Sequence, residues 1–336
     1  MLNRDFELVE IAKDADAGCM AIIALHSTRS GPAFGGIRRW RYPSSEDALA
    51  DALRLAEAMT LKCAIAGVPG GGGKAVILDR PDLPRDAAYR LVGRLVENLR
   101  GRYYTGPDVG TDAADLEHVA AETAYVARPG PEGPGDLAEP TAIGVQAGIE
   151  AVALRLGHQD LRGVRVAVQG LGQVGSRLAR SLARSGARLV LTDLDQDRAA
   201  AFGRELDAEV VAPAAIVATE CDVFAPCALG GVIDDETLPT LRAKAVAGSA
   251  NNVLASERHG AELFARGVLH APDFVISAGA LIHGALYHLE GAAPPIERVR
   301  HIGQTVGEVL DRAIEERVPP EVLALQLARE RAGAGR

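Results

Sequence analysis

The chain of 336 residues exceeds one average domain and has a suitable length for two. Its hydrophobic fraction of 48% allows a sizeable core, and because only 4% of the residues are aromatic, Leu, Val, Ile and Ala must fill most of it. The formal net charge of −9 argues against nucleic acid and anionic membrane surfaces as general partners, since both favour basic proteins.

The four cysteines form no CxxC pair and accompany no histidine cluster with zinc-binding spacing. We therefore expect free, buried or half-buried thiols in a reducing compartment, and no metal site. The first residues include acids and no long apolar run, which argues against a signal peptide. No stretch approaches the roughly 18 uncharged apolar residues of a transmembrane helix, so the protein is expected to be cytoplasmic.

The first predicted domain, residues 1–133, mixes helices and strands. Ser44 with the acids that follow it is typical of a helix N-cap, and apolar residues at helical spacing predict a helix over residues 44–58. A short buried strand is predicted at residues 75–78 and a second helix at residues 86–98. Together these elements predict an α/β domain.

A break in composition separates this domain from the next. Residues 128–135 contain three prolines and three glycines, which suit neither helix nor sheet, so a linker is predicted there. Beyond it, the predicted helix covers residues 173–185. The predicted strands cover residues 164–168, 188–192, 208–211, 223–225, 245–247 and 274–276. Repeated βαβ units of this kind predict a doubly wound parallel sheet, a Rossmann domain over residues 134–312.

The C-terminal part of the chain is predicted to be helical from about residue 292 onward. Pro319 and Pro320 open its last helix, because proline is favoured at the first helical position. We expect residues 313–336 to form a helix that returns to the first domain.

A dinucleotide-binding fingerprint follows the first strand of the second domain. Gly170, Gly172 and Gly175 fit G-x-G-x-x-G between an apolar strand and an amphipathic helix. These glycines permit a tight turn, a close approach of the pyrophosphate and close helix packing, while the helix N-terminus offers N–H groups to the phosphates. Asp193 ends the next strand, where a carboxylate binds the adenosine ribose and repels a 2′-phosphate, so NAD is predicted. Arg198 lies nearby, either to reach a phosphate or as an exposed first-turn residue.

Two lysines flank a glycine run in the first domain. Four consecutive glycines, residues 70–73, precede Lys74, and such a run is expected where a ligand approaches the backbone closely. A phosphate-binding P-loop is excluded because Ala75 follows the lysine in place of Ser or Thr. If Lys62 and Lys74 converge on one cleft, one can bind a carboxylate while the other, desolvated and repelled, acts as a base. Spacing alone equally allows two surface lysines beside a flexible loop.

Five segments then carry a resemblance to a known family. In chain order they are GPAFGG at residues 31–36, MTLK at 59–62, GGGK at 71–74, PDVGT at 107–111 and GSANN at 248–252. Together with the dinucleotide fingerprint they resemble the glutamate/leucine/phenylalanine/valine dehydrogenase family, and in particular its leucine/phenylalanine/valine dehydrogenase branch. The resemblance implies a substrate-binding and oligomerisation domain before the Rossmann domain, and a homo-oligomer.

The resemblance also implies roles for single residues. Lys62 would bind the substrate carboxylate, Lys74 would be the general base that activates water, and Asp108 would exchange protons with the amino and imino group. An N-cap role for Asp108 is the local alternative, because helix-like sequence follows Thr111. The further substrate-binding residues that we predict are Phe34, Gly35, Gly36, Met59 and Asn252. The further cofactor-binding residues that we predict are Thr141, Gln173, Val174, Ala225, Cys227 and Asn251.

The implied reaction is the reversible oxidative deamination of an apolar L-amino acid to its 2-oxo acid and ammonium. Glutamate-specific members of the family carry a lysine where Phe34 stands, so the resemblance implies a pocket that rejects glutamate. Whether Phe34 favours branched aliphatic or aromatic substrates stays open, as does the choice between packing and pocket contact for Met59 and His283. Two alternatives remain, a catalytically inactive NAD-binding paralogue and a Rossmann dehydrogenase acting on another small carboxylate.

Overall fold

The computed structural model describes residues 6–128, 130 and 133–333. The predicted linker therefore lies partly outside the described residues, at positions 129, 131 and 132. The chain divides into two units. The first extends to Asp136 and includes Leu281–Ala293 and the chain from Ala328 onward, and the second comprises Leu137–Ala280 and Pro294–Leu327. Each unit is described by itself.

The N-terminal part of the first unit, up to Asp136, contains a sheet with helices on both faces. Its strands are β1 (Leu8–Asp14), β2 (Cys19–Ser27), β3 (Ala33–Phe34), β4 (Ile37–Trp40), β5 (Gly71–Leu78) and β6 (Tyr103–Tyr104). Its helices are α1 (Ser45–Ile65), α2 (Arg85–Asn98) and α3 (Ala113–Ala120). The predicted helices and the predicted strand are thus confirmed, although α1 is longer than predicted and β5 begins within the glycine run.

The strands of the first unit form one mixed sheet in the order β1-β2-β5-β3-β6, with β4 also paired to β5. Helices α2 and α3 cover one face through residues such as Tyr89 and Leu116, which pack against Ala75 and Ile77 of β5. Helix α1 covers the other face through Ala52 and its neighbours, which pack against Val76. Because alternate residues of a strand point to opposite faces, Lys74 shares the α1 face with Val76.

Three of the four glycines in the run lie in strand β5 rather than in a flexible loop. At Gly72, the missing side chain makes room for the backbone of α1 and not for a ligand. A methyl group on Gly72 would lie 2.1 Å from the Thr60 nitrogen and 2.2 Å from the Ala56 carbonyl oxygen. Helix α1 therefore packs with its backbone directly on β5, which only glycine allows at this position. The helix begins where Ser44 accepts a hydrogen bond from the Asp47 N–H, as the sequence predicts.

The second unit is a parallel α/β structure. Its strands are β7 (Arg165–Gln169), β8 (Arg188–Thr192), β9 (Glu209–Val210), β10 (Cys221–Pro226), β11 (Ala243–Val246) and β12 (Leu269–His270). They form one parallel sheet in the order β12-β11-β10-β7-β8-β9. The helices between Ala138 and Ile276 are α4 (Ala138–Arg155), α5 (Gln173–Arg184), α6 (Gln196–Leu206), α7 (Glu257–Ala265) and α8 (Asp273–Ile276). The order, with β7 at the turning point, confirms the predicted doubly wound sheet.

One strand prediction is wrong. Residues 274–276 lie in the helical turn α8, and the edge strand of the sheet is β12 instead. A run of three apolar residues suits a buried helical turn as well as a strand. Pro272 and Asp273 open a helical turn here, and the Asp273 carboxylate accepts the Phe274 N–H at 2.7 Å.

The C-terminal part is helical, as predicted. Its helices are α9 (Gly279–Glu290), α10 (Ile296–Arg300), α11 (Ile302–Glu316) and α12 (Pro320–Gly333). The cysteines are free, with Cys19, Cys63 and Cys221 buried and Cys227 half-buried. Within residues 6–128, 130 and 133–333, no helix is both long and apolar enough to cross a membrane.

Candidate active site

Lys74 and Asp108, which are far apart in sequence, form a close ion pair in the first unit. The Nζ atom of Lys74, on β5, lies 2.5 Å from Oδ2 of Asp108, in the loop after β6. The Lys74 side chain is only 6% exposed, whereas that of Asp108 is 22% exposed. The N-cap of α3 is Asp112, whose side chain accepts the Asp115 N–H, so Asp108 does not have the local capping role considered above. The pair thus has its basic member buried and its acidic member reachable.

A second cation holds the same carboxylate. The Nε atom of Arg38, on β4, donates to Oδ2 of Asp108 at 3.2 Å, and its Nη1 donates to Oδ2 of Asp51 on α1, also at 3.2 Å. Asp51 in turn accepts a hydrogen bond from the Tyr42 hydroxyl at 2.7 Å on the same oxygen, Oδ2, whereas the exposed Arg54 contacts the other oxygen, Oδ1, at 2.6 Å and lies outside this network. The catalytic candidates therefore belong to a network that joins the sheet, the loop after β6 and α1.

Burial and the neighbouring charges shift the pKa values of both Lys74 and Asp108. Burial, the largest effect, lowers the pKa of Lys74; Asp108 opposes this shift, yet the pKa stays below its ordinary value. Burial raises the pKa of the Asp108 carboxyl, but the charges of Lys74 and Arg38 outweigh it and hold that pKa below its usual range. A lysine that loses its proton easily, beside a carboxylate that keeps its charge, suits general base chemistry.

The predicted substrate-binding glycines lie in the turn between β3 and β4. The Tyr103 hydroxyl donates to the Gly35 carbonyl at 2.7 Å, which fixes this turn. A methyl group on Gly36 would lie 3.0 Å from Cβ of Asp108, and one on Gly35 would lie 3.5 Å from Cγ of Met59. The structure therefore brings Gly36 beside Asp108 and Gly35 beside the half-buried Met59 of α1.

Lys62 lies in the last turn of α1, one helical turn after Met59. It is half-buried, and its helix covers the face of the sheet on which Lys74 lies. Residues three apart on a helix lie on the same side. Met59, beside Gly35, and Lys62 therefore share one side of α1.

Phe34 lies at the end of β3 and is 4% exposed. Its ring stacks on Tyr104 of β6, with centroids 5.5 Å apart and planes inclined by 25°. Tyr104 also contacts His288 at 4.8 Å and Tyr125 at 5.3 Å. His283, on the same helix as His288, bonds through Nε2 to the Pro134 carbonyl oxygen at 2.9 Å. Phe34 thus belongs to an aromatic cluster with Tyr104, Tyr125 and His288.

The predicted dinucleotide turn lies at the C-terminal end of β7 in the second unit. Gly170 has a φ of +91°, and a methyl group on Gly175 would lie 1.9 Å from the Gly170 carbonyl oxygen, so both glycines are required by the protein itself. A methyl group on Gly172, the N-cap of α5, would meet nothing within 4 Å. That open position and the N-terminus of α5, formed by Gln173 and Val174, fit the pyrophosphate of a dinucleotide.

Asp193 completes this turn at the end of β8. Its Oδ2 accepts the Leu171 N–H at 2.6 Å, and its Oδ1 accepts the Asp195 N–H at 2.9 Å. Arg198 lies 3.6 Å from Asp193 and 3.2 Å from Asp195, so the nearby cation is bound to carboxylates. A cleft of about 350 Å³ runs past Gly170, Asp193 and the exposed Leu194, which suits an adenosine.

The other predicted cofactor residues differ in how exposed they are. Thr141, on α4, is 8% exposed and donates its hydroxyl to the Leu137 carbonyl at 2.8 Å. Ala225 is fully buried within β10, and the Cys227 N–H donates to the Gln169 carbonyl at 2.7 Å. Asn251 and Asn252 are exposed and follow β11. Ala225 is therefore enclosed in the sheet beside Val168 of β7, whereas the asparagines are accessible.

The two asparagines are held by different partners. The Ser277 hydroxyl donates to Oδ1 of Asn251 at 3.4 Å. The Asn252 N–H donates to the Asp273 carboxylate, and Asn252 has a φ of +52°, a left-handed conformation that asparagine tolerates better than most residues. Their side-chain amides are thus presented from a constrained turn.

Sequence reasoning did not identify Arg38, Asp51 and Tyr104. Arg38 and Arg39 are neighbours in the sequence, but adjacent residues of a strand point to opposite faces: Arg38 reaches Asp108, whereas Arg39 pairs with Asp79. Alternation along β4 is the signal that would have separated the two arginines. Among the residues that the structure describes, no group of three or more His, Cys, Asp or Glu is arranged to hold a metal ion.

Two family models match the chain. The model described as "Glu/Leu/Phe/Val dehydrogenase, dimerisation domain" matches residues 7–125. The model described as "Glutamate/Leucine/Phenylalanine/Valine dehydrogenase" matches residues 133–195 and 191–293. The first match contains the Lys74–Asp108 pair, and the second contains the dinucleotide turn.

Individual relatives agree with these models. A leucine dehydrogenase from Geobacillus stearothermophilus is 43% identical, over 98% of this chain and 92% of the relative. A phenylalanine dehydrogenase from Bacillus thermotolerans is 45% identical, over 84% of this chain and 76% of the relative. The crystal structure of L-tryptophan dehydrogenase from Nostoc punctiforme matches with a TM-score of 0.88 at 38% identity, covering 98% of this chain and 97% of that chain. The sequence resemblance is confirmed, and the chain belongs to the Glu/Leu/Phe/Val dehydrogenase family of amino acid dehydrogenases.

Proposed function

We propose that the protein catalyses the reversible, NAD-dependent oxidative deamination of an apolar L-amino acid to its 2-oxo acid and ammonium. The observation that carries this proposal is the buried Lys74 held 2.5 Å from Asp108. An inactive NAD-binding protein would need neither a buried lysine nor a paired carboxylate, and both cost free energy to bury.

In the proposed reaction, Lys62, Asp108 and Lys74 have separate roles. Lys62 binds the substrate carboxylate through its ammonium group, and Asp108 exchanges a proton with the amino group. Lys74 takes a proton from the water that attacks the iminium carbon, and it returns that proton when the carbinolamine releases ammonium. The nicotinamide ring, when bound, supplies the acceptor for the hydride that leaves Cα. Fixed positions for these groups lower the entropic part of the barrier.

The proposed cofactor is NAD rather than NADP. The Asp193 carboxylate is fixed by two backbone N–H groups, and its remaining lone pairs can accept the ribose hydroxyls. A 2′-phosphate at this place would meet the charges of both Asp193 and Asp195. Arg198, the nearby cation, is already bound to both carboxylates, so it offers little compensation.

The proposed substrates are apolar amino acids. Phe34 offers no charge to a distal carboxylate, and its ring stacks on Tyr104 rather than on a cationic partner. A glutamate side chain would therefore lose its hydration without gaining an ion pair. The relatives are named for leucine, phenylalanine and tryptophan, which supports the same substrate class.

A substrate screen tests this proposal. Purified protein is incubated with Leu, Val, Ile, Phe, Trp or Glu and with NAD or NADP, and reduced cofactor is measured by absorbance. We expect turnover with apolar amino acids and NAD, and at least about tenfold lower kcat/KM with glutamate or NADP. A preference for glutamate would overturn the assignment of Phe34.

The reverse reaction separates the proposal from its enzymatic rival. Oxidation of NADH by a 2-oxo acid must require ammonium if Lys74 and Asp108 act as proposed. Equal oxidation without ammonium would instead indicate a hydroxy acid dehydrogenase.

We also propose that the protein is a homo-oligomer. Light scattering tests this proposal, and a measured mass equal to that of one chain would contradict it.

A further inference from the structure

The Asp108 carboxylate is contacted by two cations, one on β5 and one on β4. Lys74 Nζ lies 2.5 Å and Arg38 Nε 3.2 Å from the same oxygen, Oδ2. An arginine cannot give up its proton in a protein, whereas a buried lysine can. With Arg38 in place, Asp108 therefore keeps a counter-charge even when Lys74 is neutral.

The guanidinium of Arg38 is itself fixed from the other side. Its Nη1 donates to Oδ2 of Asp51 at 3.2 Å, and the side chains of Arg38 and Asp51 are 22% and 16% exposed. The Tyr42 hydroxyl donates to that same Asp51 oxygen at 2.7 Å. Asp51 lies on α1 and Asp108 in the loop after β6, so one planar group joins two separate segments.

The charge of Arg38 acts on Lys74 as well as on Asp108. Burial is the main cause of the lowered pKa of Lys74, and the charge of Arg38 lowers it further, while Asp108 and Asp51 raise it. Arg54 also lies beside Asp51, and its side chain is 63% exposed. Tyr42 and Tyr103 lie close to these charges as well, and both have raised pKa values, so they stay neutral.

We infer that Arg38 is a positioning residue of this site: it fixes Asp108 against Lys74 and balances the Asp108 charge when Lys74 acts as a base. This inference rests on the proposed function, because it assigns Arg38 a part in the proton transfer of Lys74. Asp51 holds the guanidinium, and the Tyr42 hydroxyl in turn holds Asp51. A lysine at position 38 would keep the charge but could not contact both carboxylates at once, because it lacks the planar fork of arginine.

The test compares three variants, Arg38→Gln, Arg38→Lys and the control Arg54→Gln. Arg54 binds Oδ1 of Asp51 from the solvent side, with its side chain 63% exposed, so its loss removes a cation from the same helix without removing the contact on Asp108. The pH dependence of kcat/KM is measured for each. The pH at which acetic anhydride labels Lys74 half-maximally, read by peptide mass spectrometry without cofactor, gives a second measure of its titration.

In Arg38→Gln we expect the acid limb of kcat/KM and the labelling midpoint of Lys74 to move up by about one pH unit, because a neighbouring positive charge is lost. In Arg38→Lys the limb should stay near its original place while kcat falls by about tenfold, because Asp108 is no longer aligned. Arg54→Gln should keep kcat/KM within about twofold, as an exposed ion pair contributes little.

A folded Arg38→Gln variant with unchanged rate and unchanged acid limb would overturn the inference. If circular dichroism shows that the glutamine variant does not fold, full kcat in Arg38→Lys would overturn it instead. Absence of deamination in the unmodified protein would count against the proposed function, and the labelling midpoint of Lys74 would still test whether Arg38 controls its titration.

Discussion

Lys74 and Asp108 share a single short contact, 2.5 Å between Nζ and Oδ2, although they approach it from different environments. The lysine comes from the interior of β5 and the carboxylate from a partly exposed loop. Proton exchange with substrate is therefore open to Asp108, while Lys74 is shielded from bulk water.

Replacing Lys74 with alanine should abolish turnover without affecting cofactor binding. We expect kcat to fall by about a thousandfold, within the range for loss of a general base, because Asp108 cannot activate water in the same place. The affinity for NAD should stay within about twofold, since Lys74 and the residues of the dinucleotide turn lie in different units. Calorimetric titration with NAD is the measurement, and loss of NAD binding would indicate a structural role for Lys74.

The rate of deamination should depend on pH through Lys74. Burial holds the pKa of Lys74 below its ordinary value, and only the neutral form can accept a proton. kcat/KM should therefore rise about tenfold per pH unit below the pKa of Lys74 in the folded protein, and then level off. Protonation of Asp108 would also lower the rate, but the pKa of Asp108 is itself held below its ordinary value, so this second loss occurs at more acidic pH. A profile that stays flat over the whole pH range in which the protein remains folded would contradict Lys74 as the base.

The same shift has a consequence for stability. Between the lowered pKa of Lys74 and that of an unfolded lysine, the unfolded chain binds the extra proton. The free energy of unfolding should then increase with pH across this interval. The stability gained in this way is lost again as the pH falls through the pKa of Lys74 in the folded protein. Urea unfolding of the wild-type protein and of Lys74→Met at several pH values should show this slope only in the wild type.

Asp193 should determine the choice of cofactor. Asp193→Ser removes the charge that a 2′-phosphate would meet, so the ratio of kcat/KM for NADP over NAD should increase by at least about tenfold. Asp195→Asn is the matched control, because Asp195 caps α6 by accepting the Arg198 N–H at 3.0 Å. The control keeps a capping side chain and should change the ratio less than the Asp193 variant. Equal shifts in both variants would argue against a special role for Asp193.

Two glycine-to-alanine substitutions should have opposite effects. In Gly72→Ala the new methyl group meets the backbone of α1 at 2.1 Å, so the melting temperature should fall by several degrees or the protein should not fold. In Gly172→Ala the methyl group meets nothing within 4 Å and the φ of −71° is allowed, so the fold should be kept. The KM for NAD should nevertheless rise by about tenfold, because the methyl group occupies the approach of the pyrophosphate.

The sequence was sufficient for the parallel sheet and the dinucleotide turn because their signals are local. The glycines, the strand before them and the helix after them all lie within about twenty residues, and Asp193 follows one strand later. The strand predicted at residues 274–276 failed because three apolar residues carry no period. There, the tertiary context and the turn opened by Pro272 determine the conformation.

The candidate site was less accessible to sequence reasoning. Lys74 and Asp108 emerged from the family resemblance, since spacing left the lysines undecided. Arg38 lies 70 residues from Asp108, and no local pattern links the two. The burial of the glycine run was also unexpected, because a glycine sequence does not reveal whether a ligand or a helix will fill the space above it.

The stacking of Phe34 on Tyr104 suggests a way to redesign the substrate range of this protein. Phe34 is almost fully buried, and its ring is supported from behind by Tyr104, which His288 and Tyr125 contact in turn. A smaller side chain at position 104 would let the Phe34 ring tilt away, which would enlarge the proposed pocket while Phe34 itself stays unchanged. Libraries that vary positions 34 and 104 together should therefore yield more new specificities than libraries that vary position 34 alone, because the Tyr104 ring limits where a new side chain at position 34 can lie.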